Sequence, residues 1–324
     1  MATIQDIADE VGISKAAVSR ILNKKGSFSK ETIEKVFQTA KKLNYILPND
    51  IKQLEEMDFK IIAAVLPLNN IPYYSIFASY LEQAAYSFGY SLMICSSLYD
   101  KEKEEALFSL LREKRINGVI YGSFTNDVKL QEDLPIVTVG YQVSESIPVV
   151  RSDNYMAGIL AAKHLLSKSC KKILYISGNQ IGKEMDERYL GFQEEISKYS
   201  DIQIFSYFTG VNESKKDIPS VISQMLIEHG DADGLFAESS SLATKCLQIS
   251  QEIGFNVPQD LKIVGYSNEA LASLTYPKIS YVKENTKQIA FDVVSTLIDI
   301  IEGNQNSIEI TKIIPVSFSS NSTT

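Results

Sequence analysis

The sequence predicts an α/β protein in which a short all-helical module precedes two similar subdomains of parallel sheet. Three observations predict it. Apolar residues in the first fifty positions recur at helical spacing. From residue 60, short continuous apolar runs alternate with helix-length amphipathic stretches, the pattern of parallel strands buried on both faces. That alternation occurs twice, before and after about residue 155. At 324 residues, the chain has room for a small module and a large α/β unit.

Hydrophobic residues make up 44% and charged residues 22% of the chain, as in an ordinary globular protein. No run approaches the roughly 20 apolar residues of a membrane helix, and MATIQDIADE lacks the basic and apolar regions of a signal peptide. Cys95, Cys170 and Cys246 are few and scattered, which argues against a disulfide framework or a metal cluster. A reducing, cytoplasmic setting is expected. Only His164 and His229 are present, so a histidine-rich metal site is excluded. The charge is unevenly placed. Residues 1–49 hold eight Lys and Arg against five acids, a net of +3, which leaves −11 on the remainder of a chain of −8. A basic module on an acidic body suits nucleic-acid binding, although lysine-rich helix faces also serve solubility alone.

The front module contains three helical patterns. Ile4, Ile7, Ala8 and Val11 follow i, i+3, i+4, i+7 behind Thr3 as N-cap. Val18, Ile21 and Leu22 stripe a second helix capped by Ser14. Ile33, Val36, Phe37, Ala40 and Leu43 stripe a third, capped by Ser29. A tight turn centred on Gly12 joins the first two, which is the helix-turn-helix signature. At 100° per residue, Ala16, Ser19, Arg20 and Asn23 face away from the apolar stripe, with Lys15 at the N-terminal rim. This face is small, polar and cationic. Ala16 and Ala17 permit close approach to bases, Ser14 and Ser19 can meet phosphates, and Lys15 and Arg20 can donate to guanine edges or phosphates. The alternative is a three-helix interaction module with a solvated second helix.

TIQDIADEVGISKAAVSRILN, followed by SKETIEKVFQTAKKLNY, resembles the DNA-binding headpiece of the lactose/galactose-repressor (LacI/GalR) family. That pattern reads T-I-x-D-I-A-x-x-A-G-V-S-x-x-T-V-S-R-x-L-N, then V-S-x-E-T-R-x-x-V. The resemblance implies that Lys15 and Ala16 read operator bases and that Arg20 makes a further base contact. Ala17 replaces the family's threonine, a departure that bears on one phosphate or base contact. NYILPNDIKQLEEMD is similar to the family's Y-x-P-N-x-x-A-R-x-L hinge, whose leucine wedges into the minor groove. Ile51 falls on its alanine, Lys52 on its arginine and Leu54 on the wedge leucine, so Ile51 and Leu54 are expected at the DNA. An apolar wedge unstacks bases at a cost offset by a better fit to bent DNA. The acids Glu55, Glu56 and Asp58 depart from the pattern, as does the shifted Pro48. An unstructured acidic linker is the alternative.

The body carries the strand-like runs KIIAAVL, YSLMICSS, GVIYG and PIVTVGY, then KILYISG, IQIFSYF, GLFAES and LKIVGYS. ISYVKEN and FDVVSTLIDIIEG are expected to cross back between the subdomains. The arrangement resembles the two-lobed type I periplasmic-binding-protein fold, and the family resemblance spans the chain. Ligands of such sheets lie beyond the strand C-termini, here between the lobes. Tyr73 and Tyr74 resemble the family's N-P-F-F aromatics; stacking on a sugar and plain packing both remain open. EMDERYLGF matches R-x-x-G-F, which implies an effector-binding role for Arg188; a surface ion pair with Asp186 or Glu184 is the alternative. VVRSDNYMAG is similar to the family's D-N-x-x-G stretch, with Asp153 expected as a helix cap. Ser267 and Asn268 stand where the family has G-[FY]-D-D, so its carboxylate is lost. Glu238 and Glu284 are candidates to recognise hydroxyls in its place.

GNQIGKE at 178–184 falls short of a phosphate loop, with three residues between the glycines and Glu184 for Ser/Thr. No catalytic triad or metal-ligand spacing occurs, and acids such as those of DKEKEEA form solvated runs. The expectation is a transcriptional regulator, usually a repressor in this family, and not an enzyme. Its expected partners are double-stranded operator DNA, a second copy of itself and a small effector (sugar or sugar phosphate), with no cofactor. The expected domains are a headpiece at 1–46, a hinge at 47–58 and an effector-binding and dimerisation domain at 59–324. No leucine-heptad tail follows residue 305, which favours a homodimer over a tetramer. Two alternatives stay open: control by a protein partner, and a sugar-handling enzyme with an incidental three-helix appendage.

Overall fold

A computed structural model describes residues 3–23, 25–26, 28–43, 45, 60–67, 72–98, 100–123, 130–178, 186–209, 218–267, 272–304 and 308–324, with Lys41 and Ser267 as backbone only. The chain divides into two compact units, Met1–Phe59 and Lys60–Thr324.

The first unit contains α1 (Ile4–Val11), α2 (Lys15–Leu22) and α3 (Lys30–Lys42). Local chemistry sets their ends. Thr3 and Asp6 form a reciprocal capping box at the start of α1, which satisfies two orphan backbone donors. Gly12 closes α1 in the left-handed conformation (φ 78°) with its N–H on the Ala8 carbonyl, a backbone state that costs glycine little. Ser14 caps α2 by accepting from the Ala17 N–H at 3.2 Å, and Ser29 accepts from Thr32 at 3.2 Å. The apolar stripes then meet: Ile7, Ala8, Val18, Ile21, Leu22, Val36 and Ala40 are buried in one core.

The second unit starts with β1 (Ile61–Leu66), α4 (Pro72–Ser87), β2 (Ser91–Ser96), α5 (Lys101–Arg112), β3 (Gly118–Tyr121), β4 (Ile136–Val139) and β5 (Val149–Ser152). It continues with α6 (Asn154–Ser167), β6 (Lys172–Ser177), α7 (Glu187–Ser197), β7 (Gln203–Phe208), α8 (Ile218–Glu228), β8 (Gly234–Ala237), α9 (Ser240–Glu252), β9 (Lys262–Ser267) and β10 (Ser280–Lys283). Then α10 (Thr286–Ile301), β11 (Thr311–Ile314) and β12 (Ser317–Ser319) complete it. Two six-stranded sheets result, ordered β11-β5-β4-β3-β1-β2 and β12-β10-β9-β8-β6-β7. Every pairing is parallel except β12 against β10. The two orders repeat one another, so each lobe is a doubly wound α/β unit.

The strand sequences explain their places. The inner strands β1 and β6 read IIAAVL and KILYIS and are buried almost throughout, whereas the edge strands β2 and β7 are largely half-exposed. The chain crosses between sheets after β5, between β10 and α10, and between β11 and β12. The predicted return crossing is therefore present, with α10 burying Ile289, Ala290, Val293, Val294 and Leu297 in the core of the first sheet. Three strands escaped the sequence pattern. β5 (VVRS) is interrupted by Arg151, and β11 and β12 are only four and three residues long.

One helix contact positions the site described below. A Cβ added at Gly158 of α6 would lie 2.0 Å from the Arg188 carbonyl oxygen, and one at Gly191 of α7 would lie 2.0 Å from that of Tyr155. These helices touch backbone to backbone, so the first turn of α7 lies against the first turn of α6. Gly158→Ala should overpack this contact and cost about 1–3 kcal/mol, roughly 2–10 °C in Tm for a unit of this size. Gly230→Ala, whose added carbon meets only carbonyl oxygens at 3.9 and 4.0 Å, should leave thermal unfolding nearly unchanged.

Candidate functional site

In the first unit, α2 buries Val18, Ile21 and Leu22 and exposes Ser14, Lys15, Ala16, Arg20 and Asn23, with Ala17 and Ser19 half-buried. The predicted facing is present. Two of its polar groups have local duties: Ser14 Oγ caps the helix, and the Asn23 amide donates to the Ser19 carbonyl at 2.8 Å. Lys15 and Arg20 make no ion pair among the described residues, so this helix presents two uncommitted cations from a rigid element. Ile51 and Leu54 lie outside the described residues.

In the second unit, the strand ends gather a polar cluster around Arg188. Its residence on the first turn of α7 follows from the cap. The buried Asp186 carboxylate accepts from the backbone N–H groups of Arg188 and Tyr189 at 3.1 and 3.2 Å. It also accepts from the hydroxyls of Tyr175 and Ser177 at 2.8 and 3.0 Å. The guanidinium then turns inward. Nε donates to Asn154 Oδ1 at 2.9 Å, Nη1 donates to the Glu238 carbonyl at 2.6 Å and lies 3.5 Å from Glu238 Oε2. Its carbon sits 3.8 Å from the centre of the Tyr266 ring, a cation–π contact strengthened by desolvation. Nη2 has no hydrogen-bond partner among the described residues. Arg188 is thus an interior residue, not half of a surface ion pair. Asp186 engages its backbone, and Glu184 lies outside the described residues.

Glu238 follows β8; its Oε1 accepts from the Gly178 N–H at 3.1 Å. Burial pushes its carboxyl above the usual range, an effect that Arg188 opposes. Burial also opposes the Arg188 charge, but Tyr266, Glu238, Tyr141 and Asp186 outweigh it and raise its affinity for the proton. The cation therefore persists.

Glu284 immediately follows β10 and is buried. Ser152 Oγ and Tyr266 Oη donate to its Oε1 at 2.9 and 2.8 Å, and Thr286 Oγ1 donates to Oε2 at 3.0 Å. The Tyr73 phenol feels the charge of the same carboxylate. Burial, then the Glu284 charge, holds the Tyr73 and Tyr266 phenols well above their ordinary range, so both remain donors. A carboxylate has about four acceptor sites. Glu284, expected to meet effector hydroxyls, already receives three from the protein.

Tyr73 packs edge-on to Tyr74 at 5.3 Å and stacks on Phe77 at 6.0 Å. The structure thus brings Tyr73, Arg188, Glu238 and Glu284 into one linked cluster, with Tyr74 against its rim. Ser267 ends β9, and Asn268 lies outside the described residues. Asp153 caps α6 as expected, accepting from Met156 at 2.9 Å. The sequence reasoning missed Asn154, Tyr266 and Ser152 as members of the cluster. Each is a polar side chain at a strand end or the following helix start, which was the available signal.

Comparison with known proteins agrees with both units. Residues 3–49 match "Bacterial regulatory proteins, lacI family", and residues 162–322 match "Periplasmic binding protein-like domain". The chain is 32% identical over 288 residues to the ribose operon repressor of Halalkalibacterium halodurans, covering 88% of this chain and 86% of that protein. The chain belongs to the lacI family. It is 28% identical over 305 residues to the sucrose operon repressor of Streptococcus mutans, covering 93% of each. Among solved structures, a periplasmic binding protein/LacI transcriptional regulator from Alkaliphilus metalliredigens complexed with D-xylulofuranose matches at 27% identity and TM-score 0.69. That match covers 82% of this chain and 99% of the other. The lacI-family assignment makes the chain a DNA-binding transcriptional regulator and makes its body a two-lobed type I periplasmic-binding-protein-like fold. Among the described residues no helix is long and apolar enough to cross a membrane.

Replacing Arg188 by Lys tests the cluster without any ligand. An ammonium lacks the planar fork that reaches Asn154 and Glu238 while stacking on Tyr266. Arg188→Lys should lower unfolding free energy by about 1–3 kcal/mol, the cost of leaving buried acceptors unmatched, as read from urea titration.

Proposed function

We propose that this lacI-family regulator is a sugar-responsive repressor that binds a near-palindromic operator as a homodimer. In this reading residues 1–46 are the headpiece, 47–58 the hinge and 59–324 the effector-binding and dimerisation domain. Helix α2 enters the major groove. Lys15 and Arg20 donate to base edges or phosphates, Ala16 and Ala17 allow the approach, and Ser14, Ser19 and Asn23 line the phosphate side. Ile51 and Leu54 contact the minor groove, Leu54 as the wedge. The observation that carries the DNA reading is the cationic face of α2, free of ion pairs among the described residues, on a unit whose core buries Val18, Ile21 and Leu22 of that helix.

The effector is a sugar or sugar phosphate held between the lobes. Arg188 Nη2 donates to its hydroxyls, Tyr73 and Tyr74 wall its ring, and Glu238, Ser267 and Asn268 complete the polar rim. Support comes from the Arg188 donor that no described residue accepts, at the strand C-termini, where α/β sheets bind ligands. The 27%-identical regulator solved with D-xylulofuranose and the relative named for the ribose operon support the same class. An effector then alters operator affinity through its differential binding to two lobe arrangements.

Selection of genomic fragments by the full-length protein should enrich a near-palindromic site. At that site Arg20→Ala should weaken binding by about 5- to 150-fold, the worth of a lost base contact, with a much smaller change on unrelated DNA. Leu54→Ala should likewise reduce specific more than nonspecific binding. Equal losses on both DNAs would remove the base-reading and wedge roles. Thermal-shift screening against neutral sugars and their phosphates tests the effector class; a protein stabilised by none of them would overturn that part.

A further inference from the structure

Arg188 is linked to two of the three places where the chain crosses between lobes. Its edge reaches the first crossover: Nε donates at 2.9 Å to Oδ1 of Asn154, the residue that opens α6. Its face reaches the second through the Tyr266 ring, whose centre lies 3.8 Å from the guanidinium carbon. The Tyr266 hydroxyl donates to Glu284 Oε1 at 2.8 Å, and Glu284 stands between β10 and α10. Two further bonds meet there. Ser152 Oγ, at the end of β5, donates to the same Oε1 at 2.9 Å, and Thr286 Oγ1, on the first residue of α10, donates to Oε2 at 3.0 Å. The Asp153 N–H donates to the Ile314 carbonyl at 3.0 Å, which fastens the first crossover to the third. Ser152, Glu284 and Thr286 are all buried.

We propose that α10 is the element through which the first lobe responds to events at Arg188, with Ser152 and Thr286 as positioning residues on the Glu284 carboxylate. This role rests on the reading of Arg188 as the effector-binding residue. Arg188 and α10 serve different lobes. The helix of Arg188 packs Tyr189 and Phe192 into a core of the second sheet, and α10 packs Ile289, Val293 and Leu297 into that of the first. Three contacts join them: guanidinium to ring, phenol to carboxylate, and carboxylate to threonine. Both oxygens of Glu284 are engaged, so the carboxylate cannot follow Tyr266 without giving up Ser152 or Thr286. Leaving a buried carboxylate short of a donor is costly. A shift of the Tyr266 ring is therefore passed to the start of α10 instead of being absorbed by a loose side chain. Ser152 ties the first crossover to the same point, so the two crossovers move together. An effector that draws on Arg188 acts on the second lobe directly and on the first by this hydrogen-bonded route.

The test is amide hydrogen exchange on the full chain with no sugar added. The reporters are the amides of Gln288 and Ile289 in the first turn of α10, held by Oδ1 and the carbonyl of Asn285 at 3.3 and 3.0 Å. The edge strand β7 is the control. Arg188→Lys keeps the charge and loses the planar fork. It should speed exchange at the reporters by about tenfold and leave β7 within about twofold of wild type. Thr286→Val keeps the shape of the side chain and removes its hydroxyl; in that background Arg188→Lys should add less than about twofold at the reporters. Thr286→Ser restores a hydroxyl and should restore the full response. Tyr266→Phe keeps the ring and breaks the route one step earlier, so it takes the place of Thr286→Val if that variant folds poorly. Reporters unmoved by Arg188→Lys, an equal rise in both backgrounds, or a rise shared by β7 would each overturn the route. No sugar enters the measurement, so a protein that binds none fails the effector reading alone.

Discussion

A guanidinium taken out of bulk water needs partners for its face and its edges, and the architecture of the larger unit around Arg188 supplies most of them. Its plane lies on Tyr266, its edge on Asn154, and its inner amino group on the Glu238 backbone and carboxylate. These partners come from three different segments of chain, and none is near Arg188 in sequence. Only when the second sheet is complete and α6 lies against α7 does the charge become tolerable. The Gly158 and Gly191 contact therefore has a chemical purpose. It brings the first residue of α6 within hydrogen-bond reach of the first turn of α7.

The cluster also shows how its buried carboxyl groups are satisfied. Asp186 receives two backbone N–H groups and two hydroxyls, and Glu284 receives three hydroxyls. Each is matched by neutral donors instead of by a cation of its own. Hydroxyl donors can stabilise a carboxylate while leaving Arg188 Nη2 with no partner among the described residues. Had Asp186 taken the guanidinium directly, as an adjacent pair in sequence invites, Nη2 would have been occupied and the cap of α7 lost.

Local features were legible in the sequence because their causes are local. Thr3, Ser14, Ser29 and Asp153 cap helices through atoms two or three residues away, and the inner strands announce themselves as unbroken apolar runs. Short edge elements were not: β5 contains Arg151, and β11 pairs with β5 across more than 150 positions of sequence. The pocket was half legible. Arg188 could be placed because its motif also carries the glycine that its helix needs. Its partners could not, since Asn154 and Tyr266 meet it only through tertiary packing. The hydroxyls around Glu284 were hidden for a related reason. A carboxylate at a strand end resembles a ligand, and the number of hydroxyls the fold directs at it is not written beside it.

The uneven charge of the chain now has a physical consequence. A body carrying −11 repels a polyanion, so attraction to a duplex must come from the first 49 residues with their +3. Nonspecific affinity rests largely on counterion release from phosphate contacts, and a module so weakly basic supplies few of them. Discrimination between sites depends on the gap between specific and nonspecific binding, not on total affinity. A small cationic face on an acidic protein widens that gap by lowering the nonspecific term, while the exposed cations Lys15 and Arg20 stay available. The acidic body is thus a contributor to sequence selectivity, even though none of its residues needs to touch DNA.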